Sequence, residues 1–475
     1  MIWKTAWKNI WRNRVRSIVV ISSVVVGIFA GVFAVAIMTG AVNQRVDSAL
    51  NEEISHIQIT AKDFRINDDP SLIINNSTEM VSEIEKTEGV ENVCKRLIIS
   101  GMANTATKST GVHIVGINPD EEKKVFTLYK KIIEGTGDYF ETESRYNLAL
   151  VGQDLAKELN IIRYSIDSTV LKELGDAGVP MKIIDRLSLL SGKHFTSEKI
   201  FVKNLRSMFS AKEEEKYGAL IKEKAWSYRN RSRLTLTFLD KDNNQVGAVF
   251  RLAGIYDITN NMFEESNIFV KNEVLRKLTG FPEDSYHKII VKVNDIDNTE
   301  AVTNSLKGKF PGYDIENWKE IQPDLAMLSD MIHLYYAVFM LIILAALAFG
   351  IVNTMLMVVL ERTKELGMLT AIGMNKRKVF SMIMLESVFM SLIGGIIGMV
   401  VSYLIVMLTA DKGINFTKYV EGFEALGYSA HIYPEIDPVF FVEVVVLIIL
   451  TGIISSIYPA RKALKLDPAN ALRTE

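Results

Sequence analysis

The sequence predicts a membrane protein in which four transmembrane α-helices carry a large α+β extracytoplasmic domain of two subdomains, inserted between the first and second helices. Three observations lead to this fold class: four long runs with almost no charged residues, basic residues at one set of their ends, and alternating strand patterns between the first two runs. Because the chain of 475 residues is only 48% hydrophobic, its average composition conceals these segments.

Four runs of the chain are long and apolar enough to cross a bilayer. An α-helix rises about 1.5 Å per residue, so roughly 20 apolar residues span the hydrocarbon core. Among Asp, Glu, Lys and Arg, only Glu386 and Glu443 interrupt these runs. An ionisable residue inside a membrane is a candidate functional residue, and Glu386 lies close to Lys376, Arg377 and Lys378, with which it is expected to pair. We predict transmembrane helices at residues 17–41, 332–360, 379–408 and 438–459.

The distribution of basic residues indicates how these helices are oriented. Lys and Arg outnumber Asp and Glu in segments 1–16, 361–378 and 460–475, whereas the loop 409–437 has five acids and two lysines. Segments rich in Lys and Arg stay on the cytoplasmic side. We therefore expect both termini and the 361–378 loop in the cytoplasm, and residues 42–330 and the 409–437 loop outside.

The first 16 residues have an amphipathic pattern. Trp3, Trp7 and Trp11 recur at helical spacing, and Lys and Arg take the other face. Because tryptophan favours the headgroup region and cations are attracted to anionic lipid, residues 1–16 are predicted to form a short helix anchored on the cytoplasmic membrane surface. The alternative is a secretory signal peptide, since a basic start followed by an apolar run also resembles one.

Strand and helix patterns divide the outside segment into two subdomains. Both ends of the segment show strand–helix–strand patterns, which we expect to form one membrane-proximal α+β subdomain at residues 42–114 and 276–330. The intervening residues 115–275 are predicted to form an inserted subdomain. It contains a β-hairpin pattern with Asp-Asn-Asn at its turn.

Within the inserted subdomain, residues 163–233 differ in composition. Four stretches have helical patterns, the last running through 213–231, and fifteen Lys or Arg against nine Asp or Glu give a net charge of +6 in a chain of −2. We interpret the segment as an extra basic helical insertion. Its charge favours either a docking surface for an anionic partner or lipid headgroups, or simply a solvated helical face.

No catalytic or metal-binding motif is present. The sequence lacks a P-loop, G-x-G-x-x-G, H-E-x-x-H and G-x-S-x-G, and its six histidines are scattered. Cys94 is the single cysteine, so the outside domain holds no internal disulfide. We therefore predict no catalytic residues, no metal site and no nucleic-acid partner, and expect a protein that transports a substrate or transmits a signal.

Three further segments resemble a known family. The stretch from "LERTKELGMLTAIGM" into the third apolar run, the ending "YPARKALKLDPANALRTE" and the opening Trp-Lys-Asn-x-Trp-Arg-Asn resemble the FtsX/MacB-type (type VII) ABC transporter permeases. "GVHIVGINP", "LALVGQDLAKELNI" and "FRLAGIYDITNNMFEESNIFV" are similar to the LolC/LolE branch, which releases lipoproteins. The resemblance covers most of the chain and is weakest over 163–233.

The resemblance implies a multi-pass permease of the bacterial inner membrane that hydrolyses no ATP itself. Two copies of a separate ATPase subunit would bind ATP and Mg, so this chain would bind no cofactor, and a second permease subunit would complete a homodimer or heterodimer. In the family, a short helix after the second span fits a cleft in the ATPase. Here that coupling helix would comprise Glu361, Arg362, Lys364, Glu365, Leu366, Gly367, Met368, Leu369, Ala371 and Ile372, with Gly373 as its cap and Leu366, Met368 and Leu369 filling the ATPase pocket.

For the branch that releases lipoproteins, the resemblance implies that an acylated protein is extracted from the outer leaflet and passed to a periplasmic carrier by mechanotransmission. Each buried CH₂ holds a lipid anchor with about 0.8 kcal/mol, so extracting several acyl chains needs an external energy source. Large apolar residues near the outer ends of the first two spans are candidates for the substrate cavity, or else pack against lipid or the protein core: Phe33, Met38, Tyr335, Tyr336, Phe339 and Met340.

Two other functions of the same family stay open. One is a MacB-like exporter of a peptide or antibiotic, although that branch usually carries its ATPase fused at the N-terminus. The other is an FtsX-like transmitter that activates a cell-wall hydrolase, although its outer domain is usually smaller. The partner of the outside domain would distinguish the three.

Overall fold

The computed structural model describes residues 2–141, 144–195, 197–230, 232–417, 422–423 and 427–464. The chain divides into two compact units. The first consists of Met1–Val46, Asp324–Phe423 and Tyr428–Glu475, and the second of Asp47–Pro323 and Glu424–Gly427. Most of the predicted tail at 460–475 lies outside the described residues.

The helices of the described chain range from single turns to spans of 39 residues. They are α1 Ile2–Arg12, α2 Arg14–Ser48, α3 Phe64–Asn67, α4 Ser77–Ile84, α5 Pro119–Val125, α6 Gln153–Glu158, α7 Ser168–Asp176, α8 Met181–Ser188, α9 Glu198–Met208, α10 Ala211–Ala225, α11 Asn261–Ser266, α12 Asn272–Thr279, α13 Thr299–Lys309, α14 Trp318–Ile321, α15 Pro323–Glu361, α16 Thr363–Ala371, α17 Lys376–Ala410 and α18 Pro438–Leu464.

Within the described residues, the strands form three sheets. They are β1 Ile57–Ala61, β2 Val90–Asn104, β3 Ser109–Ile117, β4 Leu148–Gly152, β5 Ile162–Ser165, β6 His194–Phe195, β7 Trp226–Tyr228, β8 Arg233–Leu239, β9 Gln245–Tyr256, β10 Asn267–Lys271, β11 Lys288–Val293, β12 Tyr313–Asn317, β13 Ile414–Asn415 and β14 His431–Ile432.

In the first unit, four helices of the described chain are long and apolar enough to cross a membrane: α2, α15, α17 and α18. Each contains one predicted span but is longer than predicted; α2 begins at Arg14 and α15 at Pro323, for example. The reason is that helical backbone hydrogen bonding does not depend on side-chain hydropathy and so continues past the apolar core. Apolar side chains from all four helices and from α1 form one packed core.

Small residues of α17 allow its close approach to α2, as their spacing predicts. A Cβ added at Gly394 would lie 2.7 Å from Val24 Cβ and 2.9 Å from the Ile21 carbonyl oxygen. A Cβ at Gly398 would lie 2.9 Å from the carbonyl oxygen of Val25. Because those contacts involve helix backbone, a larger residue would force the two helices apart.

The second unit is organised by a nine-stranded sheet with the order β12-β1-β11-β2-β3-β10-β4-β9-β8. The long strand β2 pairs with β11 through its first half, with β3 through its second half, and with β8 at Gly101–Asn104. The β2–β8 pairing closes the six strands β2, β3, β10, β4, β9 and β8 into a ring. The predicted hairpin is formed by β8 and β9.

The nine-stranded sheet does not follow the predicted boundary between the subdomains 42–114 and 115–275. The boundary falls within β3, and both parts share β2 instead of forming separate sheets. Each part nevertheless has its own core: β1, β11 and β12 pack against α4 and α13, whereas the ring encloses a second apolar cluster. The prediction missed the continuity because local patterns do not report pairing between strands distant in sequence.

The basic insertion forms a helical lobe with its own core. Helices α7 to α10 pack around Phe201 and Leu187 and against the small sheet β6-β5-β7. Residues Trp226–Tyr228, which the helical pattern included in the last helix, form a strand that pairs with β5. Ile162 and Trp226 pack against both the lobe core and the ring core, so this strand pair joins the lobe to the main sheet.

A substitution at Gly394 tests the packing of α17 on α2. We expect Gly394→Val to lower the free energy of unfolding by about 1–3 kcal/mol, because its Cβ has no space. The matched control is Gly350→Val in α15, where a Cβ meets nothing within 4 Å and the change in helix propensity is the same. Thermal unfolding of the detergent-purified full chain measures both, and equal shifts would contradict the packing argument.

Candidate functional site

The predicted coupling helix is α16, and it lies between two breaks in the helical backbone. Arg362 separates it from α15, and Gly373 adopts φ 98°, a left-handed conformation that favours glycine. The Met374 amide donates to the Leu369 carbonyl at 3.0 Å, which closes the C-terminal turn. Gly373 thus follows the C-cap residue Ile372, at the position where a left-handed glycine commonly ends a helix.

A buried carboxylate in α17 contacts both α1 and the junction that precedes α16. Glu386 is 4% exposed. Arg362 Nη1 donates to its two oxygens at 3.1 and 3.3 Å, and Asn9 Nδ2 donates to Oε1 at 2.6 Å. The sequence suggested Lys376 to Lys378 as partners, whereas the structure places the guanidinium of Arg362 and the amide of Asn9 there.

Two more ion pairs surround this contact. Arg12 Nη2 donates to the Glu365 oxygens at 2.6 and 2.7 Å, and Arg362 Nε donates to Glu365 Oε2 at 3.0 Å. Arg16 donates both terminal nitrogens to the carboxylate of Glu361. We call this set the arginine–glutamate network: Asn9, Arg12, Arg16, Glu361, Arg362, Glu365 and Glu386.

The ion pairs of the network contribute different amounts to the free energy of unfolding. The Arg12–Glu365 pair is exposed to solvent at 53% and 42% of its side-chain surfaces, so it contributes about 0–1 kcal/mol. The Arg362–Glu386 pair is exposed at only 15% and 5%, and removing one partner of a buried pair costs about 3–5 kcal/mol. The Arg362–Glu386 contact is therefore the one that holds the junction.

Two ionisable groups of the network, Glu365 and Arg362, lie outside the predicted spans, and their pKa shifts favour the charged forms. Hydrogen bonds from Arg12, and then from Arg362, lower the pKa of Glu365. Burial disfavours the charged guanidinium of Arg362, but the neighbouring Glu386 and Glu365 outweigh it and raise the pKa of Arg362. Both groups therefore stay ionised at neutral pH, and the contact between Arg362 and Glu365 persists as an ion pair.

A cavity of about 270 Å³ lies beside the network. Its polar wall is the network itself, and its apolar wall comes from α1, α2, α15 and α17 through Ile10, Val20, Met355, Val358 and Met390. Such space allows the side chains of the network to change partners without unpacking the bundle core.

The exposed face of α16 differs from the predicted one. Leu366 is 3% exposed and packs into the bundle core, and Gly367 is also buried, so Leu366 does not fill an external pocket as predicted. Leu369 is partly buried against the same core. The exposed residues are Lys364, Met368, Ala371 and Ile372, which share one helical face, and the basic residues 376–378 follow it.

The tryptophans of α1 lie beside α17. Trp3 and Trp7 contact Phe389 edge-to-face, with ring centroids 5.5 and 5.9 Å apart, and Trp11 contacts Trp7 at 6.2 Å. All three are between 43% and 66% exposed, whereas Ala6 and Ile10 form the buried face of the helix. Membrane anchoring by these rings stays a prediction.

The six candidates for a substrate cavity do not converge within this chain. Tyr336 and Met340 are buried in the bundle, and the Tyr336 hydroxyl lies 2.6 Å from Thr39 Oγ1. Phe33 stacks on Phe29 with ring centroids 5.6 Å apart. The others have accessible surface, with Met38 and Tyr335 each 40% exposed and Phe339 partly buried. Their role toward a substrate stays a prediction.

Sequence reasoning missed the part of the site that comes from the N-terminal segment. The amphipathic pattern predicts that the basic residues, Arg12 and Arg16 among them, face lipid headgroups. In the structure Arg12 and Arg16, together with Asn9, bind acids of the 361–386 region. One signal was present: Arg12 and Arg16 are four residues apart, as are Glu361 and Glu365, and the two pairs have opposite charge. Such matched spacing is recognisable only once the two segments are known to be neighbours.

Comparison with known proteins finds similarity to a family of permeases. The model of the FtsX-like permease C-terminal family matches residues 337–468, which include α16 and most of the site. The extracellular domain of the transporter YknZ from Gram-positive bacteria aligns over 55% of this chain and 98% of that domain at 12% identity, but the TM-score of 0.28 supports no statement about fold.

Curated relatives match about half of the chain. The uncharacterized ABC transporter permease MJ1507 of Methanocaldococcus jannaschii is 29% identical over 48% of this chain and 55% of its own length. The macrolide export ATP-binding/permease protein MacB of Acinetobacter baylyi is 26% identical over 50% of this chain and 36% of its own length. This chain thus spans about half or less of these relatives. The findings show an FtsX-like permease segment at residues 337–468, in a chain that is similar over about half of its length to proteins named as ABC transporter permeases.

Proposed function

We propose that this chain is the permease subunit of an ATP-driven transporter in the inner membrane, with both termini in the cytoplasm, and that α16 receives the movement of a separate ATPase. One observation carries the proposal: the exposed face of α16 is connected to α1 and α17 by the arginine–glutamate network. An unsupported turn between two spans could move without displacing the helices around it. A helix that is held to α1 and α17 by ion pairs and hydrogen bonds would move these helices with it.

The network has the properties of a mechanical link. Arg362 sits where α15 ends and α16 begins, and its guanidinium binds Glu386 of α17. Asn9 binds the same carboxylate from α1. A force on α16 therefore moves α1 and α17 together, because separating them would leave charges without partners in an apolar bundle.

For the cargo, we propose an acylated lipoprotein that is extracted from the outer leaflet and passed to a periplasmic carrier. The support is the similarity of three outside segments to the LolC/LolE branch. ATP hydrolysis beneath the bundle would supply the free energy that extracting several acyl chains demands.

A second candidate is export of a small molecule or peptide. Relatives of this chain are named for macrolide export and pyoverdine export, and this observation favours the export function. A transmitter that activates a cell-wall hydrolase shares the FtsX-like permease segment and is the third candidate.

Reconstitution tests the link and the cargo together. In liposomes with the native ATPase and a tri-acylated lipoprotein, we expect ATP-dependent release to a soluble carrier, with Glu365→Lys reducing it at least tenfold because two arginines lose their shared carboxylate. Charge exchange in Arg12→Glu/Glu365→Lys should recover part of the release. Glu300→Lys, an exposed acid of the second unit, is the matched control.

The outcomes separate the candidates. ATP hydrolysis without release of lipoprotein would contradict the proposed cargo, and vesicle uptake of a labelled macrolide would then favour export. Full release by the Glu365→Lys variant would contradict the proposed role of α16.

The Arg362–Glu386 pair allows stability and coupling to be measured separately. Glu386→Ala should lower the free energy of unfolding by about 3–5 kcal/mol, because it leaves the guanidinium buried and unpaired. Arg362→Met/Glu386→Leu should restore the thermal unfolding temperature, because apolar residues replace both charges. Transport by this double variant should stay low while ATP hydrolysis continues. Wild-type transport by the double variant would show that the ion pair is not the link.

A further inference from the structure

A large groove lies on the second unit where the basic lobe meets the main sheet. Its volume is about 1010 Å³. One wall is α9 of the lobe, and the other is formed by the turn between β2 and β3 and by the end of α6. The lining residues are Thr107, Lys108, Lys157, Glu158, Asn160, Ser197, Glu198, Lys199, Val202, Lys203 and Arg206.

The lining is strongly basic. Five Lys or Arg face two Glu, a formal excess of three positive charges. Some of these charges are balanced by neighbours, since Lys157 pairs with Asp154, Arg206 with Glu214, and Glu198 with Lys222. Three lysines, Lys108, Lys199 and Lys203, make no ion pair with any residue that the structure describes. These three therefore present uncompensated charge to a ligand.

The lysines of α9 are held in place by the packing of the helix. Lys199 and Lys203 are four residues apart and share one face. The opposite face carries Phe201 and Leu205, which are 0% and 2% exposed in the core of the lobe. Burial of these two side chains fixes the rotation of the helix and directs the basic face into the groove.

The opposite wall is also fixed. Thr105 Oγ1 donates to the Leu159 carbonyl at 3.0 Å, which ties the β2–β3 turn to the end of α6. The Thr105 amide donates to the Lys108 carbonyl at 2.8 Å, which closes the turn that carries Lys108. Both walls are thus organised before a ligand arrives, which lowers the entropic cost of binding.

Some bases of the lobe are balanced by acids, as in the pairs Arg186–Glu213 and Lys224–Glu173. Lys199 and Lys203 of the groove are instead aligned along one helical face without such partners among the described residues. Like charges four residues apart on a helix repel one another. Lysines aligned along the groove therefore do not stabilise the lobe, but their positive charge attracts an anionic partner.

The composition of the groove indicates which anion fits. Glu158 and Glu198 stand among the bases, and Val202 and Asn160 lie between them. A polymer with a charge on every unit would be repelled by the two carboxylates, whereas a peptide can space its acids and place neutral residues opposite them. We propose that this groove binds an acidic, extended segment of a protein partner. The proposal is independent of which cargo the permease moves.

Binding of a defined peptide tests the proposal. The full chain in phosphatidylcholine nanodiscs is titrated against a fluorescein-labelled peptide of repeated Glu-Gly-Ser units, with a Gln-Gly-Ser peptide as the neutral control. Fluorescence anisotropy should show binding of the acidic peptide that weakens as salt is raised. The variant Lys108→Glu/Lys199→Glu/Lys203→Glu should bind at least about tenfold more weakly.

The matched control changes the same charge elsewhere in the lobe. Lys172→Glu/Lys182→Glu/Lys193→Glu alters three exposed lysines outside the groove and should change the affinity less than about twofold. Circular dichroism and thermal unfolding confirm that both variants are folded. Equal loss in the two variants, or equal affinity for the neutral peptide, would overturn the proposal. So would the absence of peptide binding together with groove-dependent binding of phosphatidylglycerol vesicles, which would identify a lipid headgroup instead.

Discussion

The buried ion pair between Arg362 and Glu386 is the interaction on which the permease unit depends. A carboxylate surrounded by apolar helices is tolerated only with a cation and hydrogen bonds around it, and Arg362 and Asn9 supply them. This requirement brings together three segments distant in sequence: α1, the α15–α16 junction and α17. The exposed pairs of Arg12 and Arg16 then add specificity more than free energy, because solvent screens them.

This arrangement gives α1 a role that its composition conceals. A helix with three tryptophans and several bases has the pattern of a membrane anchor. In the structure its polar residues bind the acids next to α16, and its tryptophans lie along α17 through Phe389. The same helix presents exposed ring edges and contacts α16 through Arg12. Under the proposed coupling role, movement of α16 would act on α1 and α17 at once.

In the second unit, the corresponding constraint is the closure of the sheet by β2. A strand of 15 residues pairs with three neighbours, so one continuous hydrogen-bonded ladder connects two cores. The basic lobe is inserted at the β5–β7 pair and shares Ile162 and Trp226 with the ring core. Because the β5–β7 pair attaches the lobe to the main sheet, α9 of the lobe lies next to the β2–β3 turn. Surface residues of the two then form the groove.

The sequence by itself determined the features that depend on local composition. Length and hydropathy located four spans, Gly373 indicated where α16 ends, and strand patterns located β1, β2, β8, β9, β11 and β12, because these signals act within one element. Only the tertiary structure decided that Glu386 pairs with Arg362 rather than with the basic residues 376–378, that Leu366 faces the bundle, and that one sheet crosses the boundary at residue 114. Each of these depends on which distant segments become neighbours, and a pattern of residues along the chain contains no direct measure of that distance.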